Sequence, residues 1–158
     1  MIAKGNNLWV ERIINIPMDS NCFIVYSENF KTCMVIDPDS ELCEDIFKFM
    51  ESKQLEPEYI FLMHEHFDHI WGVEKNRERF KCKLVASNLC SLLITNVKKN
   101  LSIFYNQKGF ECQVADLIME DLSTSLIWQT YPISLYDTPE HSDARICIQI
   151  GNYLQEML

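Results

Sequence analysis

Basic side chains are the first shortage: 14 lysines and arginines stand against 23 aspartates and glutamates, a formal charge of −9 over 158 residues. Such a chain repels a phosphate backbone and an anionic bilayer surface, so neither nucleic acid nor a membrane is expected as a partner. Long apolar runs are missing as well. None approaches the roughly 18 residues that a spanning helix needs. The N-terminus shows no basic segment followed by an apolar stretch and a small-residue cleavage site, so a soluble, cytoplasmic protein is expected. Paired CxxC cysteines are absent. The seven cysteines are odd in number and scattered, most within apolar strings such as Cys22-Phe23-Ile24-Val25, which excludes the dense framework of a small secreted domain. They are expected to be reduced thiols packed as small apolar groups. Cys82 and Cys90 are spaced too widely for the short loop of a structural zinc site. No internal repeat, low-complexity tract or interdomain linker interrupts the chain, and 47% hydrophobic content supports one sizeable core. A single domain over residues 1–158 is the expectation.

What is present reads first as strands. Leu8 to Ile16 and Asn21 to Tyr26 are rich in β-branched and aromatic residues, and Thr32 to Asp37 is a short apolar run closed by Asp37-Pro38. Asp39 or Ser40 is placed to cap a helix running to about Gln54, with Glu41, Glu44 and Asp45 at its positive end. Tyr59 to Met63 is continuously apolar and too short for a helix, as expected of a strand covered on both faces. Asp68 is placed to cap a helix over Ile70 to Arg79, and Lys83 to Ala86 is another strand, which completes a βαβ unit. Leu89, Leu92, Leu93 and Val97 form one helical stripe, expected to pack in the core. From Lys98 to Thr130 the pattern predicts only mixed loops and short elements. Ile133 to Asp137 and Arg145 to Ile150 recover a β pattern on either side of the turn Thr138-Pro139-Glu140-His141.

The chain has only four histidines, and three of them, His64, His66 and His69, occupy six consecutive positions at the end of an apolar strand. The fourth, His141, sits in a turn between two strands. In an extended segment His64 and His66 project from the same side and can reach one ion. Asp68 and His69, where the chain turns toward a helix, can point to a second ion beside it. Zinc accepts imidazole nitrogen and carboxylate oxygen, and a catalytic zinc keeps three protein ligands and one position for water. His64, His66 and His141 would supply three. Glu65 and Phe67 are expected to point away, Glu65 as a carboxylate behind the ligands or facing solvent.

The run His64-x-His66-x-Asp68-His69, followed by Ile70-Trp71-Gly72, resembles the signature of the metallo-β-lactamase superfamily, which includes glyoxalase-type thioesterases and lactonases. The resemblance extends to Asn21-Cys22-Phe23-Ile24-Val25, to Val35-Ile36-Asp37-Pro38 and to Thr138-Pro139-Glu140-His141, and so covers most of the chain. It implies an α+β fold, a four-layer αβ/βα sandwich with metals at one edge of the sheets. It implies too that His64, His66 and His141 hold the first ion, that Asp68 and His69 hold part of the second, and that Asp68 orients the attacking water and accepts a proton.

The family has a Gly-Asp pair after the third histidine, whose aspartate bridges two metals, and a further histidine beyond it. Here the chain runs Ile150-Gly151-Asn152-Tyr153-Leu154-Gln155-Glu156-Met157-Leu158, without either ligand. The C-terminal half of the sandwich is therefore expected to be incomplete, through shortening of a longer reading frame or with a homo-oligomer or other partner covering the open face. Trp71 and Arg145 depart from the small residues common in the family and are expected to pack or to lie exposed, respectively, unless they border the pocket. The expected function is a metal-dependent hydrolase acting on a small molecule, in which a zinc-bound hydroxide attacks an ester, thioester, lactone or amide carbonyl. One or two zinc ions are expected, with iron or manganese as alternatives. The rival expectation is a non-catalytic metal-binding remnant or subunit that keeps the three-histidine site.

Overall fold

A computed structural model describes residues 3–5, 7–120 and 126–155. Seven strands form the first sheet in sequential order: β1 (Ala3–Gly5), β2 (Leu8–Asn15), β3 (Ser20–Ser27), β4 (Thr32–Ile36), β5 (Glu56–Phe61), β6 (Lys83–Ala86) and β7 (Leu117–Ile118). The pairs from β1 to β4 are antiparallel, and those from β4 to β7 are parallel. The second sheet is an antiparallel meander of β8 (Leu126–Trp128), β9 (Tyr131–Asp137), β10 (Ile146–Ile150) and β11 (Tyr153–Gln155). The helices are α1 (Glu44–Lys53), α2 (Phe67–Ile70), α3 (Val73–Phe80), α4 (Asn88–Leu93) and α5 (Ser102–Asn106).

Strand alternation divides the core. Phe23, Val25, Met34, Ile36 and Phe61 face Trp128, Ile133, Leu135, Ile146 and Ile148 between the sheets. The intervening residues Cys22, Ile24, Cys33 and Val35 point the other way, onto Ile46, Phe47 and Met50 of α1. Ile60, Leu62 and Leu84 meet Ile70, Val73 and Cys90 in the same outer layer. The parallel strands are thus covered on both faces, as their continuous apolar runs predict. This is the expected α+β sandwich with an incomplete second half: the described helix residues of the core pack on the outer face of the first sheet, and none joins the cluster between the sheets. All seven cysteines are buried free thiols. No described helix is long and apolar enough to cross a membrane. Glu156, Met157 and Leu158, within the tail expected to end the sandwich early, lie outside the described residues, as do positions 121–125 of the weakly patterned stretch.

Several helix expectations are corrected. Asp39 caps nothing; α1 begins later, after Cys43 in a left-handed conformation, and the Ser40 hydroxyl only accepts from the Cys43 N–H in the preceding turn. Asp39 is instead buried, because its carboxylate turns inward to the Ser20 hydroxyl. Asp68 lies inside α2 rather than at a cap, and Gly72 starts α3. Leu89 and Leu92 are exposed, at 40% and 57%, because Ser87 caps α4 from the Cys90 N–H and turns Cys90 and Ile94 inward instead.

Candidate metal centre

The parallel strands β4 and β5 run in register, with Ile36 opposite Phe61, so their C-terminal ends release Asp37 and the segment Leu62 to His64 at one edge. Asp37 has φ 53, a left-handed conformation that aspartate tolerates better than most residues. Its buried carboxylate is divided between two partners: Oδ1 accepts from the Met63 N–H at 2.9 Å, and Oδ2 faces His69 Nδ1 at 2.9 Å. The second sheet is tied to the same point, because the Ile146 N–H donates to the Met63 carbonyl at 2.8 Å. That bond sets the height of the β9–β10 turn, from which His141 reaches back.

Three imidazoles meet there. The His64 ring centre lies 4.7 Å from that of His66 and 5.1 Å from that of His141, and His66 and His141 are 5.3 Å apart. His64 Nε2 and His141 Nε2 approach to 3.4 Å, and one nitrogen from each of the three rings falls within 4.8 Å of the others. His64 is buried, His66 half-buried and His141 exposed, so the trio opens to solvent on the His141 side. His69 packs on the inner side, 4.1 Å from His64 between ring centres.

Electrostatics keep the inner ring neutral. Burial pushes the His64 pKa down to about 2, reinforced by the positive charge available on His69, His66, His141 and Arg145. Burial lowers His66 also, against the pull of Glu65 and Asp68. For His69 burial acts downward too, but Asp37 outweighs it and raises the pKa. The contact with Asp37 assigns a hydrogen to His69 Nδ1, which leaves Nε2 directed toward Asp68, with Oδ2 at 3.6 Å. Close by, burial pushes Asp39 up to about 7; its Oδ2 accepts from Ser20, and its Oδ1 is buried without a partner.

Of the residues singled out from the sequence, His64, His66 and His141 converge, and Asp68 and His69 lie beside them. Asp68 belongs to neither group of three donors among the described residues; the second such group is Asp37, His64 and His69. Glu65 is buried rather than solvent-facing, and it accepts from the Ser142 hydroxyl at 2.6 Å, a contact that joins the two histidine loops. Arg145 is not an exposed strand-end charge: its side chain is 14% exposed and pairs with Glu140. Asp37 and Ser142 were not among the expected site residues. The signal for Asp37 was its place directly after an apolar strand, where β-strand carboxyl ends converge; Ser142 carries no signal beyond adjacency to His141.

Residues 15–97 match the family model of the metallo-beta-lactamase superfamily. A hydroxyacylglutathione hydrolase of Klebsiella pneumoniae is 38% identical over 143 residues, which cover 90% of this chain and 48% of the relative. Another, from Buchnera aphidicola, is 37% identical over 67 residues, 42% of this chain and 26% of the relative. The chain thus spans about half the length of the curated relatives it matches, or less. The crystal structure of the BLEG-1 B3 metallo-beta-lactamase superposes with a TM-score of 0.81 at 24% identity, over 90% of this chain and 67% of that one. ETHE1 from Myxococcus xanthus superposes with a TM-score of 0.68 at 18% identity, over 92% and 55% of the two chains. At these identities the likeness is one of fold.

Proposed function

Because the chain belongs to the metallo-β-lactamase superfamily, we propose that it is a metal-dependent hydrolase cleaving an ester, thioester, lactone or amide bond of a small molecule. One observation carries the reading: three imidazoles from two separate loops offer nitrogens within 4.8 Å of one another. The donor set suits a divalent cation. With two Nε2 atoms 3.4 Å apart, at most one ring can donate to the other, whereas a shared cation satisfies both lone pairs at once. A neutral His64 is already in the form that ligates. In this reading His64, His66 and His141 hold one ion, and Asp68 with His69 holds part of a second. Zinc suits these ligands, and iron or manganese accept the same types.

A divalent ion held there supplies Lewis acidity toward the substrate carbonyl and acidifies water toward neutral pH. The protein does the rest. Asp68, half-buried between His66 and His69, orients the attacking water and takes its proton at a carboxylate oxygen. Asp37 fixes the tautomer and the orientation of His69, and Glu65 with Ser142 holds the His64 and His141 loops at one spacing.

His66→Ala and Asp68→Ala should abolish turnover of a panel of esters, lactones and thioesters while leaving the circular-dichroism spectrum unchanged. The panel includes a hydroxyacyl thioester, since the two hydroxyacylglutathione hydrolases described above are named for one. Undiminished turnover in either variant would remove the assignment. A second reading, a metal-binding protein without catalysis, is favoured by the absence of Asp68 from both donor groups. Elemental analysis separates them: two ions per chain favour the hydrolase, and one or none favours the second reading.

A further inference from the structure

A groove of about 410 Å³ is walled by Ile13, Ile16, Leu42, Ile46, Trp71 and Tyr105. Two of its lining residues touch neighbours of the histidine site. Asn15, in its lining, donates to the Asp37 carbonyl at 3.3 Å, and Asp37 is the residue that holds His69. The Tyr105 ring stacks on Phe67, which lies between His66 and Asp68, at 5.0 Å. Trp71 in turn stands edge-on to Tyr105 at 5.2 Å and stacks on Phe110 at 5.1 Å, so the aromatic wall is braced from behind.

The groove combines bare apolar surface with charge of one sign. Ile16 and Leu42 are 68% and 55% exposed, which costs free energy unless something covers them. The charged lining residues are Glu41, Glu44 and Asp45, and no lysine, arginine or histidine lines it among the described residues. Lys48 reaches Glu44 and Asp45 at 3.8 Å, but these are exposed pairs of little strength and Glu41 lies outside them. A ligand group entering here gains from apolar contact and loses if it carries a carboxylate.

We infer that this groove takes an uncharged apolar group of the substrate and selects against anionic ones, including a glutathione conjugate with its two carboxylates. The inference rests on the hydrolase reading for its substrate and on the groove alone for its selectivity. Trp71 and Tyr105 provide the contact surface, and Glu41 and Glu44 provide the discrimination.

Two matched thioesters of N-acetylcysteamine test it, one with a hexanoyl and one with an adipoyl group, equal in length and differing by one terminal carboxylate. The KM for the adipoyl thioester is expected to be about tenfold higher. The double variant Glu41→Lys/Glu44→Lys, at two exposed positions, should shrink that gap to about threefold or less. Equal KM values, or a gap the double variant leaves intact, overturn the inference. A second arm needs no turnover: the hexyl and 5-carboxypentyl thioethers of N-acetylcysteamine are titrated against tryptophan fluorescence, with Trp71→Phe identifying the reporting ring. Tighter binding of the hexyl thioether without cleavage of any thioester sinks the hydrolase reading and keeps the groove's selectivity. Equal binding of the two, or none, sinks the selectivity even in an active hydrolase.

Discussion

Asp37 and His69, 32 residues apart in the chain, face each other across 2.9 Å with both side chains buried. The carboxylate is fixed on its other side by the Met63 N–H, so it can turn only by giving up a backbone hydrogen bond. Its effect on His69 is therefore one of direction as well as charge: Nδ1 carries the hydrogen, and Nε2 is presented outward.

Asp37→Asn preserves shape and removes this control. With its oxygen kept on Met63, the new amide sets an N–H against His69 Nδ1 and favours the opposite tautomer. The affinity of the metal ion that depends on His69 is expected to fall roughly 10–100-fold, measured by competition with a chromophoric chelator. An affinity indistinguishable from wild type would show that His69 needs no such partner.

Ser142 and Glu65 bear on spacing rather than tautomer. Ser142→Ala leaves the buried Glu65 Oε2 without its donor and also removes an acceptor from the Ala144 N–H. A buried charged group stripped of a partner costs about 1–3 kcal/mol, so the urea midpoint should drop accordingly and the three-imidazole site should bind metal more weakly. A stability loss with metal affinity untouched would mean that the contact braces the loops without setting their separation.

The sequence disclosed the histidine cluster more fully than the residues that surround it. His64, His66 and His69 were legible because imidazoles cluster at the end of an apolar run, and His141 because it shared the same strand-end context. Asp37 was visible only as the end of a strand, since its pairing with His69 depends on the parallel register of β4 and β5, which no local pattern encodes. The helix stripe of Leu89 and Leu92 misled because periodicity fixes one face but not which face is inward; the Ser87 cap decided that. Tyr105 was illegible for a related reason: α5 is a five-residue helix flanked by left-handed residues, too short to leave a periodic trace.

Gly72 is where two parts of the site touch. A Cβ there would meet Cys43 Sγ at 2.5 Å, the Pro38 carbonyl at 2.8 Å and the Ser40 carbonyl at 2.9 Å. Two of these are backbone atoms of the loop behind Asp37, already tied to Gly72 by its N–H to Pro38 at 2.7 Å. Gly72→Ala is expected to destabilise by about 1–3 kcal/mol through overpacking, seen as a lower thermal midpoint, and to shift Trp71. A variant as stable as wild type would show that the loop yields freely.

His64 gives the pH dependence. In the metal-free protein its pKa lies at about 2, against an ordinary 6.5, because burial opposes the charge. Between those values the unfolded chain binds a proton that the folded chain refuses. The stability contributed by neutral His64 is therefore complete above pH 6.5 and is lost as pH falls, by about 1.4 kcal/mol per unit for one proton. Three neighbours act with the opposite slope: the raised pKa of His69, the carboxyl of Asp39, pushed up to about 7, and that of Asp37, raised by burial, all favour the folded state on the acid side, while His66, lowered by burial, acts in the same direction as His64. The total profile mixes these, so the difference between wild type and His64→Gln is the quantity to measure, because glutamine does not titrate. In the presence of a chelator, wild type should lose about 1.6 kcal/mol relative to the variant between pH 6.5 and pH 5, read from denaturant midpoints. Parallel profiles over that range would mean that the imidazole is hydrated or protonated inside the fold, and the neutral, ligation-ready ring at the centre of the site would have to be abandoned.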